Sequence, residues 1–223
     1  MNHLRRLLIA ASLALTACSG LLHSTAPALQ LYVLAPPETV TVKADGTGPA
    51  AAPAAASARP GPTLRVVRPL SGPALNTDRI ALLRPGNRLD YYAGSRWSAP
   101  LADLVSDLEL QVLRADAAWG AVADDRSTFN ADYLLQTSID RFTAQYEGGT
   151  GAPTIRVELH TLLIRRVDGT LVGSFAVSEQ GTAKENRMAS VVAMFSAVAD
   201  QAVIEVAAQS AQLLRSAKSP AAP

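Results

Sequence analysis

The chain has 223 residues, of which 48% are hydrophobic, 17% charged and 5% aromatic, and its formal net charge is +1. This length suits one domain with a sizeable core and is short for two full ones. A nearly neutral chain without clustered basic residues excludes nucleic acid as the partner. A single cysteine, Cys18, excludes an internal disulfide framework.

Residues 1–17 have the order of a bacterial secretion signal. Arg5 and Arg6 give a positive start, and a short apolar run, Leu7 to Leu15, follows. This run is too short to span a bilayer. We therefore expect a cleaved leader rather than a transmembrane helix.

The leader ends at Leu15, Thr16, Ala17 and Cys18, a sequence that resembles the lipobox of bacterial lipoproteins. The resemblance implies diacylglycerol on the Cys18 sulfur, cleavage before Cys18, and an acyl chain such as palmitate on the new amino group. Each buried methylene contributes about 0.8 kcal/mol, so several chains anchor durably. Ser19 follows the cysteine, and in diderm bacteria this implies the periplasmic face of the outer membrane. The alternative is that Cys18 is incidental.

Residues 18–28 are predicted to be a lipidated tether, and 29–215 the folded domain. An apolar run, Leu29 to Leu34, predicts a first strand that ends before two prolines. Residues 43–62 consist mainly of Ala, Pro, Gly and Ser, which predicts a mobile, disordered excursion. The alternative is a true linker, but six residues cannot form a domain alone, so the first strand should return to the sheet.

Three short strands are predicted next, separated by Pro, Gly or Asn: Leu64–Val67, Asp78–Leu83 and Arg88–Tyr92. A helix follows, with Ser98 predicted as its N-cap and its end near Ala115. Its apolar residues are spaced three and four apart, which places them on one face: Leu101, Leu104, Val105, Leu108 and Val112.

The second half of the chain predicts an antiparallel meander. A short strand at Ala121–Ala123 precedes long extended segments at Asp132–Tyr146 and Ala152–Val167. The Asp168-Gly169 pair predicts a type I′ hairpin turn into Thr170–Glu179.

The pattern then changes to that of a helix, from about Arg187 to Arg215, which we interpret as packing in the core. A helix bound to a partner or to a membrane surface is the alternative, but the polar face has few Lys and Arg residues. The tail, residues 216–223, is predicted to be disordered. The whole pattern predicts one compact α/β domain, of the mixed α+β type, in which two main helices pack on a mixed sheet.

No pattern of an enzyme is present in the sequence. It has no P-loop, dinucleotide fingerprint, nucleophile elbow or metal-ligand spacing. The only histidine of the predicted domain, His160, lies on the polar side of a strand and is expected to be solvated. We expect neither catalysis nor a metal.

Aromatic residues are concentrated between Tyr91 and Leu101, which we expect to be a strand-to-helix connection. Trp97 there has two interpretations, a hydrophobic staple before the helix or part of an interface. Tyr, Trp and Arg are enriched at interface hot spots. The candidate partner-binding residues are therefore Tyr91, Tyr92, Arg96 and Trp97.

The lipobox, the strand at 31–36, the strand that begins with Asp78-Arg79-Ile80, and above all residues 91–101 resemble the ABC-type transport auxiliary lipoproteins, the PqiC-like family. The resemblance covers the mature chain in order. It implies a three-layer domain resembling the anticodon-binding class. It also implies a non-catalytic outer-membrane lipoprotein that works with an MCE-type ABC transporter of phospholipid or other hydrophobic cargo.

The implied partner is the periplasmic MCE-domain protein of that transporter, and a homo-oligomeric ring is compatible with such a role. Two other functions are left open by the residues. One is a periplasmic lipid-binding carrier, which would need an apolar cavity. The other is a structural envelope lipoprotein without a transporter.

Overall fold

The computed structural model describes residues 28–34, 59–148 and 151–218, and the structural statements below concern this part of the chain. It contains a single sheet and two helices. In chain order the elements are β1 (Gln30–Tyr32), β2 (Thr63–Ser71), β3 (Arg79–Arg84), β4 (Arg88–Trp97), α1 (Leu101–Ala115), β5 (Ala121–Ala123), β6 (Tyr133–Gln145), β7 (Thr154–Arg165), β8 (Leu171–Thr182) and α2 (Met188–Lys218). The predicted mixed α/β domain is confirmed.

Strand β6 is the axis of the eight-stranded sheet. Strand β7 pairs antiparallel along one side of β6, and β2 and then β3 pair parallel along the other side. Strand β5 lies beyond β2, while β4 and then β1 lie beyond β3. Strand β8 completes the predicted meander and lies at the opposite edge from β1.

Alternation along β7 separates the two faces of the sheet. Ile155, Val157 and Leu159 are buried, whereas Arg156 and Glu158 between them are half-buried. Successive side chains of a strand point to opposite faces, so an alternating sequence covers one face with apolar residues. This is the alternation that the sequence predicts for the segment.

Both helices pack on the buried face of the sheet. A Cβ added to Gly173 of β8 would lie 2.6 Å from the Leu213 side chain of α2, so helix and strand approach closely here. Helix α1 packs on β2 and also contacts α2. The described residues thus form one helical layer against one sheet, and no third layer is found among them.

Helix α1 ends where predicted but begins later. Its first residue is Leu101, and no side chain caps it. Pro100 occupies the N-cap position, so Ser98 lies two residues too early to cap the helix; its backbone N–H instead donates to the carbonyl oxygen of Tyr32, at 2.7 Å, and continues the pairing of β1 with β4. The predicted N-cap was wrong.

Helix α2 is a core helix, as predicted. By length and composition it could cross a membrane, but half of its most apolar stretch is buried inside the domain. Val191, Phe195 and Val206 are among its buried residues. The helix includes residues 216–218, so the predicted disorder does not begin at 216; residues 219–223 lie outside the described residues.

The first strand returns to the sheet, as predicted, because β1 pairs parallel with the end of β4. Most of the predicted mobile excursion, residues 43–58, lies outside the described residues. Residues 59–62, its last part, contact the fold. The backbone N–H of Gly120 donates to Pro62 at 2.8 Å, which attaches this segment to the fold.

The β7–β8 connection differs from the predicted type I′ turn. That turn needs positive φ at both central residues, but of the Asp168-Gly169 pair only Gly169 has a positive φ, of 68°. The backbone N–H of Arg165 donates to the carbonyl oxygen of Thr170, which closes a longer loop. The side chain of Asp168 accepts from the N–H of Thr170 at 3.0 Å and stabilises that loop.

Candidate functional site

The aromatic segment that the sequence singles out lies within strand β4, which extends to Trp97. Tyr91 and Tyr92 were predicted in a strand, but the strand continues through residues 93–97, where a strand-to-helix connection was wrongly predicted. Strand β4 pairs with β1 only near its end, at Ser95–Trp97, and strand β3 pairs with β6 only at Leu82 and Leu83. The first half of β4 and the end of β3 therefore form a hairpin, 84–92, that extends from the body of the sheet.

Trp97 lies in the core and not on the surface. It is 1% exposed, and its ring meets those of Phe142 and Phe195 edge-on, at centroid distances of 6.1 and 5.4 Å. A side chain in this position cannot contact a partner of the folded domain. Its place among the partner-binding candidates was wrong, because β4 turns it towards α2.

Tyr92 is positioned by an irregularity in β4. Ala81 pairs with Tyr91 and Arg79 pairs with Arg96, so 92–95 face Ile80 alone. Such a bulge bends a strand and redirects its side chains.

The Tyr92 hydroxyl takes part in a chain of hydrogen bonds. Its oxygen lies 2.9 Å from that of Tyr146, whose hydroxyl donates to Oδ1 of Asn186 at 2.8 Å. Burial and, secondly, the bond to Tyr146 raise the pKa of Tyr92 far above its usual value. The Tyr146 hydroxyl gives its only proton to Asn186, so Tyr92 donates to Tyr146. These three side chains come from β4, the end of β6 and the segment before α2, and together they form what we call the tyrosine chain.

Tyr91 and Arg96 lie on the other face of β4. The Tyr91 hydroxyl donates to the carbonyl oxygen of Ala74 at 2.9 Å, and the guanidinium of Arg79 lies 3.8 Å from the centre of its ring. Arg96 donates to both carboxylate oxygens of Asp78, at 3.0 and 3.1 Å. These contacts hold Tyr91 in place within the fold, whereas Arg96 is exposed beside the β1 edge.

A cleft of about 810 Å³ lies between the hairpin and the tyrosine chain. Arg84 and Arg88 lie on its rim, and both are exposed. Arg84 donates to Asp90 at 3.2 Å. The N–H of Tyr91 and then Arg84 lower the pKa of Asp90, so this carboxylate stays ionised. The rim has two arginines and one carboxylate, so its net charge is positive. We call this cleft the tyrosine cleft.

The described residues contain no group of three or more His, Cys, Asp or Glu residues that could hold a metal. His160 lies on the helix-free face of the sheet, partly exposed, opposite Ser138 and Ala176. The signal residues Leu15, Thr16, Ala17 and the lipid-attachment residue Cys18 lie outside the described residues.

Among the candidates drawn from the sequence, Tyr91 and Tyr92 line the tyrosine cleft, but the sequence did not point to the other lining residues. Tyr146 and Asn186 are distant in the chain, and only the pairing of β6 with β3 brings Tyr146 to the hairpin. A local signal existed for the hairpin tip. Gly86 and Asn87 both have positive φ, 78° and 58°, and the Pro-Gly-Asn sequence of this turn favours that conformation.

The fold and the site define an α/β domain that presents a surface cleft at one end of its sheet. Solved structures share this fold. Protein XCC0632 from Xanthomonas campestris is 22% identical over 74% of this chain and 92% of its own, with a TM-score of 0.65. Protein CT253 from Chlamydia trachomatis is 7% identical over 70% of this chain and 99% of its own, with a TM-score of 0.50. No curated protein matches the chain.

Residues 46–207 match the family described as the ABC-type transport auxiliary lipoprotein component. The chain belongs to this family, and the resemblance seen in the sequence is confirmed. The matched stretch contains the whole tyrosine cleft.

Proposed function

We propose that this protein is the non-catalytic auxiliary component of an MCE-type ABC transport system, which moves phospholipid or other hydrophobic cargo across the periplasm. Family membership supports an ABC-type transport component. In this proposal Cys18 carries the lipid anchor, and the protein is attached to the periplasmic face of the outer membrane. The ATPase and the permease belong to other subunits.

The observation that carries this proposal is the tyrosine cleft. Its walls are held by hydrogen bonds between three distant parts of the chain, so a partner meets an ordered surface. Ordered sites lose less entropy when they bind. Aromatic side chains together with arginines are the composition of interface hot spots. We therefore assign docking of the MCE-domain protein to this cleft.

The charge of the rim indicates what the partner presents. Arg88 is exposed and has no salt bridge among the described residues, whereas Arg84 forms a salt bridge with Asp90. An acidic side chain or a C-terminal carboxylate that enters the cleft would pair with Arg88. We expect the docking segment of the MCE-domain protein to carry a carboxylate beside an apolar or aromatic residue.

Photo-crosslinking in living cells tests this docking. The photoreactive residue p-benzoylphenylalanine would replace Ala93, which is exposed and lines the cleft without belonging to the tyrosine chain. The matched control carries the same residue in place of Leu171, on the opposite edge of the sheet. We expect an adduct with an MCE-domain protein from position 93 and none from position 171.

The alternatives give different adducts in the same experiment. Lipid adducts without protein adducts from position 93 would contradict the docking role and favour a periplasmic lipid carrier. No adduct of either kind would favour a structural envelope lipoprotein.

A further inference from the structure

Strand β1 and the residues that flank it carry a row of exposed apolar side chains at the edge of the sheet. Leu29, Leu31 and Val33 are 53%, 63% and 61% exposed, whereas Leu34 is buried. Leu31 lies in β1, and Leu29 and Val33 flank that strand two residues away on either side, so the three exposed side chains lie close together along the chain. We call these three side chains the β1 row. Among the described residues β1 pairs with β4 alone, so the row lies at a free edge.

The faces of the neighbouring strands place positive charge beside the β1 row. Leu31 is opposite Arg96 in the parallel pairing of β1 with β4, and Arg96 is opposite Arg79 in the pairing with β3. Paired residues share a face of the sheet. The row is therefore flanked by two exposed arginines, one paired with Asp78 and the other lying over the ring of Tyr91.

The position of the row in the chain restricts what covers it. Leu29 follows Cys18 by eleven residues, and an extended chain covers at most about 3.6 Å per residue. The row therefore lies within roughly 40 Å of the lipidated residue, whatever path the tether takes. The bilayer that holds the anchor is therefore within reach of this edge of the domain. Apolar side chains flanked by arginines are suited to the zone between lipid headgroups and acyl chains.

We propose that the β1 row lies in the interfacial zone of the bilayer that carries the Cys18 anchor, with Arg79 and Arg96 towards the headgroups. The domain is then held by two contacts, and its β1 edge faces the membrane while its β8 edge faces away. This inference rests on the proposed lipid anchor and is independent of the partner that docks in the tyrosine cleft.

Spin labelling tests the contact in the full-length, acylated protein. Because Cys18 is the only cysteine and its sulfur carries the lipid, Leu31→Cys supplies the only free thiol. Leu171→Cys is the matched control, since Leu171 is 53% exposed, like Leu29, and lies on the β8 edge. Both proteins would be placed in vesicles of phosphatidylethanolamine and phosphatidylglycerol, and label accessibility to oxygen and to a water-soluble nickel chelate would be measured.

In vesicles, we expect the label at residue 31 to be several-fold less accessible to the nickel chelate, and more accessible to oxygen, than the label at residue 171. The label at residue 171 should remain accessible to the nickel chelate. Equal nickel accessibility at the two positions in vesicles would overturn the proposal. Strong spin–spin broadening at residue 31 would also overturn it, because a second copy would then cover the row.

Mass spectrometry of each preparation separates this result from failure of the anchor. Acylated Cys18 with an accessible residue 31 would refute the membrane contact alone. Unmodified Cys18 would refute the anchor and, with it, the membrane contact. Neither result bears on the crosslink from position 93.

Discussion

At the residue scale, the three central aromatic rings explain why the segment around Trp97 matters. Trp97 contacts Phe142 of β6 and Phe195 of α2, whose rings stack at 5.1 Å. These contacts join β4 to the sheet axis and to the helical layer. Burial excludes the interface role that the sequence allowed for Trp97, and the staple role depended on the Ser98 N-cap, which the structure lacks, so Trp97 is a core residue.

Trp97→Ala should therefore destabilise the whole domain. Truncation of a large buried aromatic residue costs about 3–5 kcal/mol. Urea unfolding of the purified Cys18→Ala protein would measure this loss. Leu89→Ala, at an exposed leucine of the same strand, should change the free energy of unfolding by less than about 0.5 kcal/mol. A loss below about 1 kcal/mol for Trp97→Ala would contradict the core role.

Glu109 is a second residue whose burial has a measurable consequence. It is fully buried in α1, and Thr137 of β6 donates to its Oε1 at 2.6 Å, while Oε2 has no partner among the described residues. Burial raises the pKa of Glu109 to about 8, although the bond from Thr137 opposes that shift. At neutral pH the folded protein keeps a proton here that the unfolded chain releases.

The free energy of unfolding should therefore fall as pH rises. Below the usual pKa of a glutamate, near 4.5, both states are protonated and stability is unaffected. Between there and about pH 8 only the unfolded chain releases the proton, so stability is progressively lost. From pH 6 to 8.5 the expected loss is on the order of 3 kcal/mol.

Denaturant unfolding at pH 6 and pH 8.5 would measure that slope. Glu109→Gln should flatten it, because the amide does not ionise. Glu158→Gln is the control, since Glu158 is partly exposed and paired with Arg141, and it should leave the slope in place. A wild-type protein whose stability did not change between the two pH values would refute the buried, protonated carboxyl.

At the element scale, two chain segments cross where β2 begins. A Cβ on Gly120 would lie 2.5 Å from the carbonyl oxygen of Gly61 and 2.6 Å from that of Arg59. The N–H of Arg59 also donates to the carbonyl oxygen of Gly120. The segment before β5 thus fixes the start of β2 through backbone contacts that no side-chain pattern signals.

Gly120→Ala should push the two segments apart. We expect a destabilisation of about 1–3 kcal/mol, as for other additions to a closely packed site. Gly72→Ala is the matched control, because nothing lies within 4 Å of the added Cβ there. Thermal unfolding of the two variants would compare them. Equal melting temperatures would contradict the close crossing.

The helices and strands also show which parts of the fold could be predicted from the sequence. Alternation along β7 and the three- and four-residue spacing in α2 are local patterns, so both elements were found near their observed positions. The bulge in β4 and the order of β2, β3 and β6 depend on pairings between distant segments. The tyrosine cleft depends on those pairings, which is why Tyr92 was predicted without Tyr146 or Asn186.

At the scale of the whole molecule, the β1 edge and the hairpin have separate assignments. The β1 edge carries the apolar row that we place at the membrane, and the hairpin presents the tyrosine cleft to a partner. The long β8 edge is unpaired within the described part of the chain. A ring of identical copies remains a prediction, and native mass spectrometry of the acylated protein would test it.

The most direct test of the account is the affinity of the full-length protein for the MCE-domain protein of the same bacterium. It would be measured for the wild type, Arg88→Glu and the control Arg126→Glu, which makes the same charge change at an exposed arginine beyond β5. We predict at least a tenfold loss for Arg88→Glu, about 1.4 kcal/mol, and little change for Arg126→Glu. Absence of wild-type binding, or equal affinity of the two variants, would contradict docking through the tyrosine cleft.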